Sequence, residues 1–199
     1  MSWDAETRVD LVDKELLLAM KEAGCRMMSY GIEHGEFIQE IKGGNATLEQ
    51  SEKAVKWTHE AKIQTAGYFM IGLPNETPKT IRKTIDFAKK LDCTYATFSI
   101  TMPFPGNKLY DEAIKSGLIQ LDDTWEKFVY GGVGVGGIQA PVLTTESLSA
   151  SDLEYWTKKA FREFYLRPSY IMKKLLSVRS LNDLRTYYNG YRMMKKDTV

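Results

Sequence analysis

Apolar positions over residues 1–120 alternate between helical spacing and short uninterrupted runs. Uninterrupted runs of this length, bounded by glycine and proline, are typical of buried strands. They predict strands at 26–32 (RMMSYGI), 63–73 (IQTAGYFMIGL) and 95–102 (YATFSITM). Because strands and helices alternate along this part of the chain, we predict an α/β fold built on a parallel sheet with right-handed connections.

Helix-start signals stand in front of the helically spaced positions. Asp13 is a predicted N-cap, and Thr47 with Gln50 forms a predicted capping box, in which Gln50 reaches back to the start of its helix. Pro78 occupies a first-turn position, where proline is well tolerated. The apolar positions that follow are Leu16, Leu17, Met20 and Ala23 in the first helix, Ile81, Ile85, Ala88 and Leu91 in the third, and a further helix is predicted at 108–115.

The pattern changes after residue 120. A glycine-rich stretch at 131–137 predicts a loop, and Ser149 is the predicted N-cap of a helix that continues through Phe164. Two more helices are predicted, at 168–176 and 181–194. We therefore divide the chain into an α/β part at 1–120 and a loop with a C-terminal helical extension at 121–199.

Charge and composition exclude several classes of protein. Lys and Arg number 27 against 26 Asp and Glu, so the net charge of +1 predicts neither a nucleic-acid partner nor attraction to an anionic membrane. No apolar stretch approaches the roughly 20 residues that span a bilayer, and no signal peptide is evident. The two cysteines, Cys25 and Cys93, cannot form a disulfide framework and are expected to be small core residues of a reduced, cytoplasmic protein.

Two candidate motifs do not fit their usual context. Gly132, Gly134 and Gly137 match G-x-G-x-x-G, but the residues IQAP that follow cannot begin the helix that a dinucleotide site needs. A flexible loop is the better interpretation. Cysteine and histidine are too few and too scattered for a metal site, so none is predicted, and His59 is expected to be packed or solvated.

Glycine, proline and carboxylate residues gather where the predicted strands end. Glu33 stands between Gly31 and Gly35, residues 71–77 (IGLPNET) end the second strand, and residues 102–106 (MPFPG) end the third. Ligands of parallel sheets bind at these carboxyl ends, where Glu33 can accept hydrogen bonds from sugar hydroxyls or an ammonium group. From spacing alone, the alternative that these residues only turn the chain and Glu33 faces water is equally good.

Ordered segments along most of the chain resemble one family. The segments are WDAETRVD at 3–10 with LLAMKEAGCR at 17–26, YGIEHG at 30–35 with IKG at 41–43, MIGLPNET at 70–77, PFPGNKLY at 103–110 and FYLRP at 164–168. They resemble the radical S-adenosylmethionine (SAM) superfamily, in particular its cobalamin-associated branch and the subgroup that contains the anaerobic Mg-protoporphyrin monomethyl ester cyclase. His34 and Asn107 depart from the family pattern, which usually has Ser and often Thr there.

The resemblance implies a partial (βα)6 barrel, of which this chain supplies about strands three to six and the C-terminal extension. The family's C-x-x-x-C-x-x-C motif is absent from the sequence. The chain is therefore expected to be a fragment of a longer, anaerobic iron–sulfur oxidoreductase of the cyclase or methyltransferase type. Its expected partners are the N-terminal part of the same polypeptide and a small-molecule substrate, and the fragment alone is expected to be inactive.

The resemblance also implies the cofactors. This chain is expected to bind S-adenosylmethionine, whereas the [4Fe–4S] cluster, and cobalamin if the whole enzyme uses it, are expected to be ligated outside it. No catalytic acid or base is assigned. The implied binding residues are Glu33 for the ribose or amino group, Ile71 and Gly72 against the adenine, Pro103 and Phe104 over it, and Arg8 for the carboxylate.

Two alternatives and one consequence remain from the sequence. The first alternative is a non-catalytic α/β interaction module derived from such a barrel. The second is an enzyme that uses another cofactor at the same strand ends. The sequence does not distinguish cyclisation, methylation and sulfur transfer. If the preceding barrel strands are missing, the strand near residues 3–8 has an open edge, which predicts self-association.

Overall fold

The computed structural model describes residues 1–37, 46–117, 145, 147–178, 180, 185, 187–189 and 192. Strands and helices alternate over residues 1–117, as predicted, and helices alone follow among the described residues. The strands are β1 (Trp3–Thr7), β2 (Cys25–Glu33), β3 (Gln64–Ile71) and β4 (Tyr95–Ile100). The helices are α1 (Lys14–Glu22), α2 (Leu48–Glu60), α3 (Pro78–Leu91), α4 (Lys108–Lys115), α5 (Ala150–Tyr165) and α6 (Pro168–Leu176), with a short 3-10 helix at Val9–Leu11.

The strands form a sheet in the order β1–β2–β3–β4. β1 and β2 are parallel, with Glu6 opposite Ser29, and β2 and β3 are parallel, with Ser29 opposite Ala66. Just after β4, the Thr101 amide donates a hydrogen bond of 2.7 Å to the carbonyl of Ile71, the last residue of β3. β3 and β4 therefore finish at the same edge, and the predicted parallel sheet is confirmed.

The chain divides into two compact units. The first comprises Met1–Met70 and Lys79–Thr97, and the second comprises the described residues of Ile71–Pro78 and Phe98–Val199. The predicted boundary at residue 120 lies outside the described residues, so it stays a prediction. The same applies to the predicted loop at 131–137 and to most of the predicted helix at 181–194.

The core of the first unit is largely the one that the apolar spacing predicts. The stripe on α3 is buried as expected, and both cysteines are buried. The first helix differs, because Leu17 is its buried residue whereas Leu16 is 44% exposed. Neighbouring residues of a helix point about 100° apart, so a short helix that packs through a narrow contact buries one of them and not the other. Ala23 is also exposed, because it is the C-cap residue at the end of the helix and does not pack against the core.

Helix ends follow their predicted caps, with one correction. The Thr47 side chain accepts a hydrogen bond from the Gln50 amide, which confirms the N-cap of α2. The second half of the predicted capping box is wrong, because the Gln50 side chain donates instead to the carbonyl of Val9 at 3.2 Å. A long amide side chain can reach beyond its own helix end, and here it donates to a carbonyl of the 3-10 helix. Ser149 forms the predicted N-cap of α5, with Asp152 completing a capping box.

In the second unit, α5 supplies much of the buried surface. Leu153, Ala160 and Phe164 are fully buried on one face of the helix, and the rings of Phe98 and Phe164 meet edge to face with centroids 6.2 Å apart. Edge-to-face contacts of this kind stabilise a packed core beyond the area they bury. Among the helices that the structure describes, none is both long enough and apolar enough to cross a membrane.

Candidate cofactor-binding site

The end of β2 is a tight turn centred on Glu33. The His34 amide donates to the Ile32 carbonyl at 2.8 Å, which closes a three-residue turn, and Glu33 between them has φ 68°. The register of β2 against β3 shifts at the same place, between Gly31 and Glu33. A non-glycine residue in this left-handed region is strained, and such strain concentrates at functional sites. We call residues 33–37 the β2 tip.

His34 holds the β2 tip from inside. Its side chain is fully buried, and its Nδ1 accepts hydrogen bonds from the amides of Glu36 at 3.0 Å and Phe37 at 3.1 Å. The imidazole also stacks on the Phe37 ring, with centroids 4.6 Å apart. Because Nδ1 is an acceptor, the neutral ring carries its proton on Nε2. The residue that departs from the family pattern is thus part of the framework of the turn.

Helix α3 fixes the β2 tip from the other side. The Gly35 amide donates to Thr84 Oγ1 at 3.0 Å, and Lys83 Nζ lies 2.6 Å from Glu36 Oε1. These contacts join the residues around Glu33 to a helix of the same unit. The Glu33 side chain itself is half-buried at the carboxyl end of its strand. The arrangement therefore presents a carboxylate on a rigid, strained backbone, which suits the recognition of hydroxyl or ammonium groups.

A second turn follows β3, and we call residues 72–77 the β3 loop. Gly72 has φ 95°, a conformation that favours glycine. The carboxylate of Glu76 is fully buried, and one of its oxygens accepts hydrogen bonds from the amides of Gly72 at 2.5 Å and Leu73 at 3.1 Å. Glu76 had no role predicted from its sequence. Its signal was the spacing, since a carboxylate three or four residues after a glycine turn is placed to accept the amides of that turn.

Ile71 and Gly72 lie where the resemblance places them, at the end of β3, but both are occupied by internal contacts. Ile71 is fully buried, and its carbonyl accepts the Thr101 amide. A Cβ on Gly72 would lie 3.1 Å from a methyl carbon of Leu153 in α5. Gly72 therefore allows a helix to pack against the strand end, and its implied contact with adenine stays a prediction.

The end of β4 holds a feature that the sequence analysis missed. The Thr101 side chain is 2% exposed, and its hydroxyl has no hydrogen-bond partner among the described residues. A polar residue that closes an apolar strand run was its only sequence signal. Pro103 is buried after it, whereas Phe104 is 45% exposed. The implied role of Pro103 and Phe104 in closing over the adenine stays a prediction.

Arg8 follows β1 and makes an internal ion pair. Its guanidinium donates to both carboxylate oxygens of Asp10 at 2.9 Å, and this contact raises the pKa of Arg8. Two parallel bonds of this kind are the geometry by which arginine binds any carboxylate. The implied contact of Arg8 with the carboxylate of S-adenosylmethionine stays a prediction. That carboxylate would have to compete with Asp10 for the guanidinium.

The described residues contain no cluster of three or more His, Cys, Asp or Glu able to hold a metal ion. Cys25 and Cys93 are buried separately, and burial raises the pKa of the Cys25 thiol, which disfavours a metal-binding thiolate. His59 is exposed, and its Nε2 lies 2.9 Å from Thr65 Oγ1. His59 is thus a surface residue with a structural partner, as expected.

Comparison with known proteins agrees with the resemblance found in the sequence. Residues 4–88 match the family model described as the radical SAM superfamily. An uncharacterized methyltransferase of Pyrococcus horikoshii is 34% identical over 200 residues, which cover 96% of this chain and 41% of that protein. The anaerobic magnesium-protoporphyrin IX monomethyl ester cyclase of Cereibacter sphaeroides is 28% identical over 84% of this chain and 26% of that protein.

A solved structure shares the fold. The radical SAM methyltransferase TsrM of Kitasatospora setae, solved with tryptophan and a SAM analogue, superposes on 83% of this chain and 36% of its own, with a TM-score of 0.54 and 20% identity. At this identity the likeness shows the fold, and it confirms the predicted partial (βα) barrel. The chain spans less than half the length of each of these relatives.

Proposed function

We propose that this chain is the S-adenosylmethionine-binding part of a radical SAM enzyme of the methyltransferase or cyclase type. The proposal is supported by the names of the relatives and, from this structure, by the strained backbone that holds Glu33 at the end of β2. Its partners would be the remainder of the same enzyme and a small-molecule substrate. The cyclase and methyltransferase alternatives both stay open, because relatives of each type match the chain.

The residues present fit S-adenosylmethionine but not the cluster. A carboxylate on a fixed turn, among parallel strand ends, suits a ligand that carries ribose hydroxyls and an ammonium group. The sequence has two cysteines, and both are buried, so this chain does not offer the several close thiolates that an iron–sulfur cluster needs. We therefore propose that the [4Fe–4S] cluster, and cobalamin where it is used, are ligated by another part of the enzyme.

In this proposal the chain positions its cofactor and performs no proton transfer. S-adenosylmethionine, when bound beside a reduced cluster, supplies one-electron chemistry that removes hydrogen from a substrate. Glu33 accepts hydrogen bonds from the ribose or the amino group of the cofactor, and the β2 tip keeps its carboxylate in place. Ile71, Gly72, Pro103 and Phe104 are proposed to contact the adenine through the strand ends that they occupy.

Binding to the Glu33→Ala variant tests the proposal. We expect this change to weaken S-adenosylmethionine binding by about 1–3 kcal/mol, the usual loss for a hydrogen bond to a charged group. The titration is followed by ligand-observed NMR, which reads weak affinities. Glu36→Gln is the matched control, because Glu36 is a carboxylate of the same tip that pairs with Lys83. Equal affinity of Glu33→Ala and the wild type would reject this role.

A second experiment separates the enzyme fragment from a non-catalytic interaction module. After anaerobic reconstitution with iron and sulfide, followed by reduction, the chain alone should not form 5′-deoxyadenosine, because it lacks the cluster ligands. A radical SAM fragment should still bind S-adenosylmethionine, whereas an interaction module should bind neither this cofactor nor its analogues. Formation of 5′-deoxyadenosine by this chain would show that the proposed division of labour is wrong.

A further inference from the structure

We propose that helix α6 binds the surface of an anionic lipid bilayer and places its apolar side at the boundary between headgroups and acyl chains. Two observations point to this docking surface. The apolar side of α6 faces solvent, and the same part of the chain carries an excess of basic residues. Binding of this kind is independent of the cofactor that the strand ends bind.

The apolar side of α6 is exposed along the helix. None of the nine residues of α6 is buried, and four apolar side chains are 42%, 58%, 57% and 80% exposed, namely Ile171, Met172, Leu175 and Leu176. Residues spaced in this way lie on one side of a helix, so they form a continuous strip, which we call the α6 strip. Helices of globular proteins ordinarily turn such a strip toward the core. A strip that faces water instead indicates a surface used for binding.

The other side of α6 holds the helix to its own unit. The Tyr170 ring packs against the rings of Phe164 and Tyr165 in α5, with centroids 5.7 Å and 5.2 Å away. Lys174 Nζ lies 5.3 Å from the centre of the Tyr170 ring. Because these contacts attach α6 through its aromatic and polar side, the α6 strip stays available to a partner.

Basic residues accompany the α6 strip. Residues 166–199 carry eight Lys and Arg and two Asp, whereas the other 165 residues carry 19 Lys and Arg against 24 Asp and Glu. The net charge of +1 therefore combines a basic C-terminal part with an acidic remainder. Charges in solution are screened beyond about 8–10 Å, so a charged surface responds to the nearby excess and not to the total. Lys173, which adjoins the α6 strip, is exposed.

Charge and polarity together favour a lipid surface over other partners. An anionic bilayer offers an apolar interior beneath a layer of negative charge, and helices that lie in this interface combine an apolar side with neighbouring Lys and Arg. A second copy of this chain would bring a like-charged C-terminal part against the first, which opposes pairing through the α6 strip. A nucleic acid would attract the basic residues but leave the α6 strip in water.

Vesicle cosedimentation of the whole chain tests this surface. One set of vesicles contains phosphatidylcholine and phosphatidylglycerol in equal parts, and the other contains phosphatidylcholine alone. The chain should bind the anionic vesicles about tenfold more tightly, because each Lys or Arg near the lipid surface adds to the attraction. Added salt should weaken this binding, because it screens the charges.

Matched variants locate the contact on α6. Leu175→Glu should lower the partition coefficient on anionic vesicles by about tenfold, because a charge replaces an apolar side chain of the α6 strip. Leu18→Glu is its control, since Leu18 is 55% exposed on α1 in the first unit, and it should bind like the wild type. Lys173→Glu should weaken binding by about fivefold or more, whereas Lys53→Glu, at an exposed position of α2, should have little effect. All four positions are exposed, so the melting temperatures should agree.

Several results would overturn the proposal. One is a wild-type chain that binds neither kind of vesicle, and another is Leu175→Glu binding as tightly as the wild type. Equal losses from Lys53→Glu and Lys173→Glu would show a response to net charge without a specific surface. Light scattering without lipid adds a further result. If Leu175→Glu abolishes self-association of the chain, the α6 strip is an interface between copies and its assignment to lipid is wrong.

Discussion

Gly35 and Thr84 are in such close contact that the β2 tip and helix α3 leave no room for a side chain between them. A Cβ on Gly35 would lie 2.6 Å from the Thr84 Cα and 2.8 Å from the backbone of Lys83. The atoms in the way belong to the backbone of a helix, so they cannot move aside as a flexible side chain would. The position of the tip beside Glu33 is therefore set by a contact between residues far apart in sequence.

Gly35→Ala should accordingly destabilise the chain. We expect a loss of about 2–3 kcal/mol in the free energy of unfolding, because the new methyl group forces the backbone of the tip or of α3 to shift. Gly117→Ala is the control, since Gly117 has φ 68° and open space around its Cβ position. That variant should lose only about 1 kcal/mol from the left-handed backbone. Denaturant unfolding measures both, and a smaller loss for Gly35→Ala than for Gly117→Ala would contradict the contact.

The β3 loop depends on a buried carboxylate. Glu76→Ala should destabilise the chain by about 3 kcal/mol, because the amides of Gly72 and Leu73 lose their common acceptor. Glu76→Gln keeps one side-chain oxygen that can accept both amides, so it should lose about 1 kcal/mol. Denaturant unfolding of the two variants measures the difference. If Ala and Gln at this position prove equally destabilising, the charge of Glu76 matters more than its hydrogen bonds.

Local patterns predicted the elements of this fold well, because helices and strands depend on short-range periodicity. The stripe on α3 is one example, since four residues at helical spacing are enough to define a buried face. Strand β2 was likewise predicted to within one residue at either end, because it is an uninterrupted apolar run. Leu16 shows the limit of predicting burial from apolar spacing, because its exposure depends on how α1 packs and not on its own sequence context.

The candidate site was less predictable for the same reason. Glu33 was identified from glycine spacing and family resemblance. Its left-handed backbone lies next to Gly35, whose amide donates to Thr84, 49 residues from Gly35. The acceptor role of Glu76, and the lack of a partner for the Thr101 hydroxyl among the described residues, likewise follow from three-dimensional neighbours. A sequence pattern indicates which strand ends are polar. Whether each polar group is buried and hydrogen-bonded depends on neighbours that are distant in sequence.

Tyr30 should give the chain a measurable alkaline instability. Its hydroxyl lies 2.7 Å from Thr58 Oγ1, which in turn donates to the carbonyl of Ala54. Burial raises the pKa of Tyr30 to about 12 in the folded chain, against about 10 when unfolded. Between these values the unfolded chain has lost the Tyr30 proton and the folded chain has kept it. The unfolded state thus binds fewer protons, and stability falls as the pH rises.

The measurement compares Tyr30→Phe with the wild type by denaturant unfolding across this range. Near pH 8 the variant should be about 1 kcal/mol less stable, because it lacks the hydrogen bond to Thr58. Above about pH 10 that difference should shrink, because phenylalanine cannot ionise. Thr58→Val removes the same hydrogen bond but keeps the ionisable ring, so it should retain the alkaline loss. A difference between Tyr30→Phe and the wild type that is constant with pH would contradict the burial of Tyr30.

The last prediction concerns the edge of the sheet at β1. Within the described residues β1 pairs with β2 alone, and none of its side chains is buried. Asp4 and Glu6 are exposed on it, whereas Trp3 is half-buried and its Nε1 donates to the carbonyl of Ala23 at 2.9 Å. An unpaired strand edge is a template for pairing with another strand, and charges on the edge oppose that pairing. We therefore expect this chain to self-associate through β1, more strongly when salt screens the two carboxylates.

Light scattering over a concentration series, at low and at high salt, measures this association. Trp3→Lys adds a charge beside the edge and should shift the chain toward the monomer at every concentration. Trp57→Lys makes the same substitution at another half-buried tryptophan, on α2, and should leave the association unchanged. Melting curves of both variants separate an effect on the edge from a general loss of stability. A chain that stays monomeric at high concentration and high salt would show that β1 does not offer an open edge for pairing.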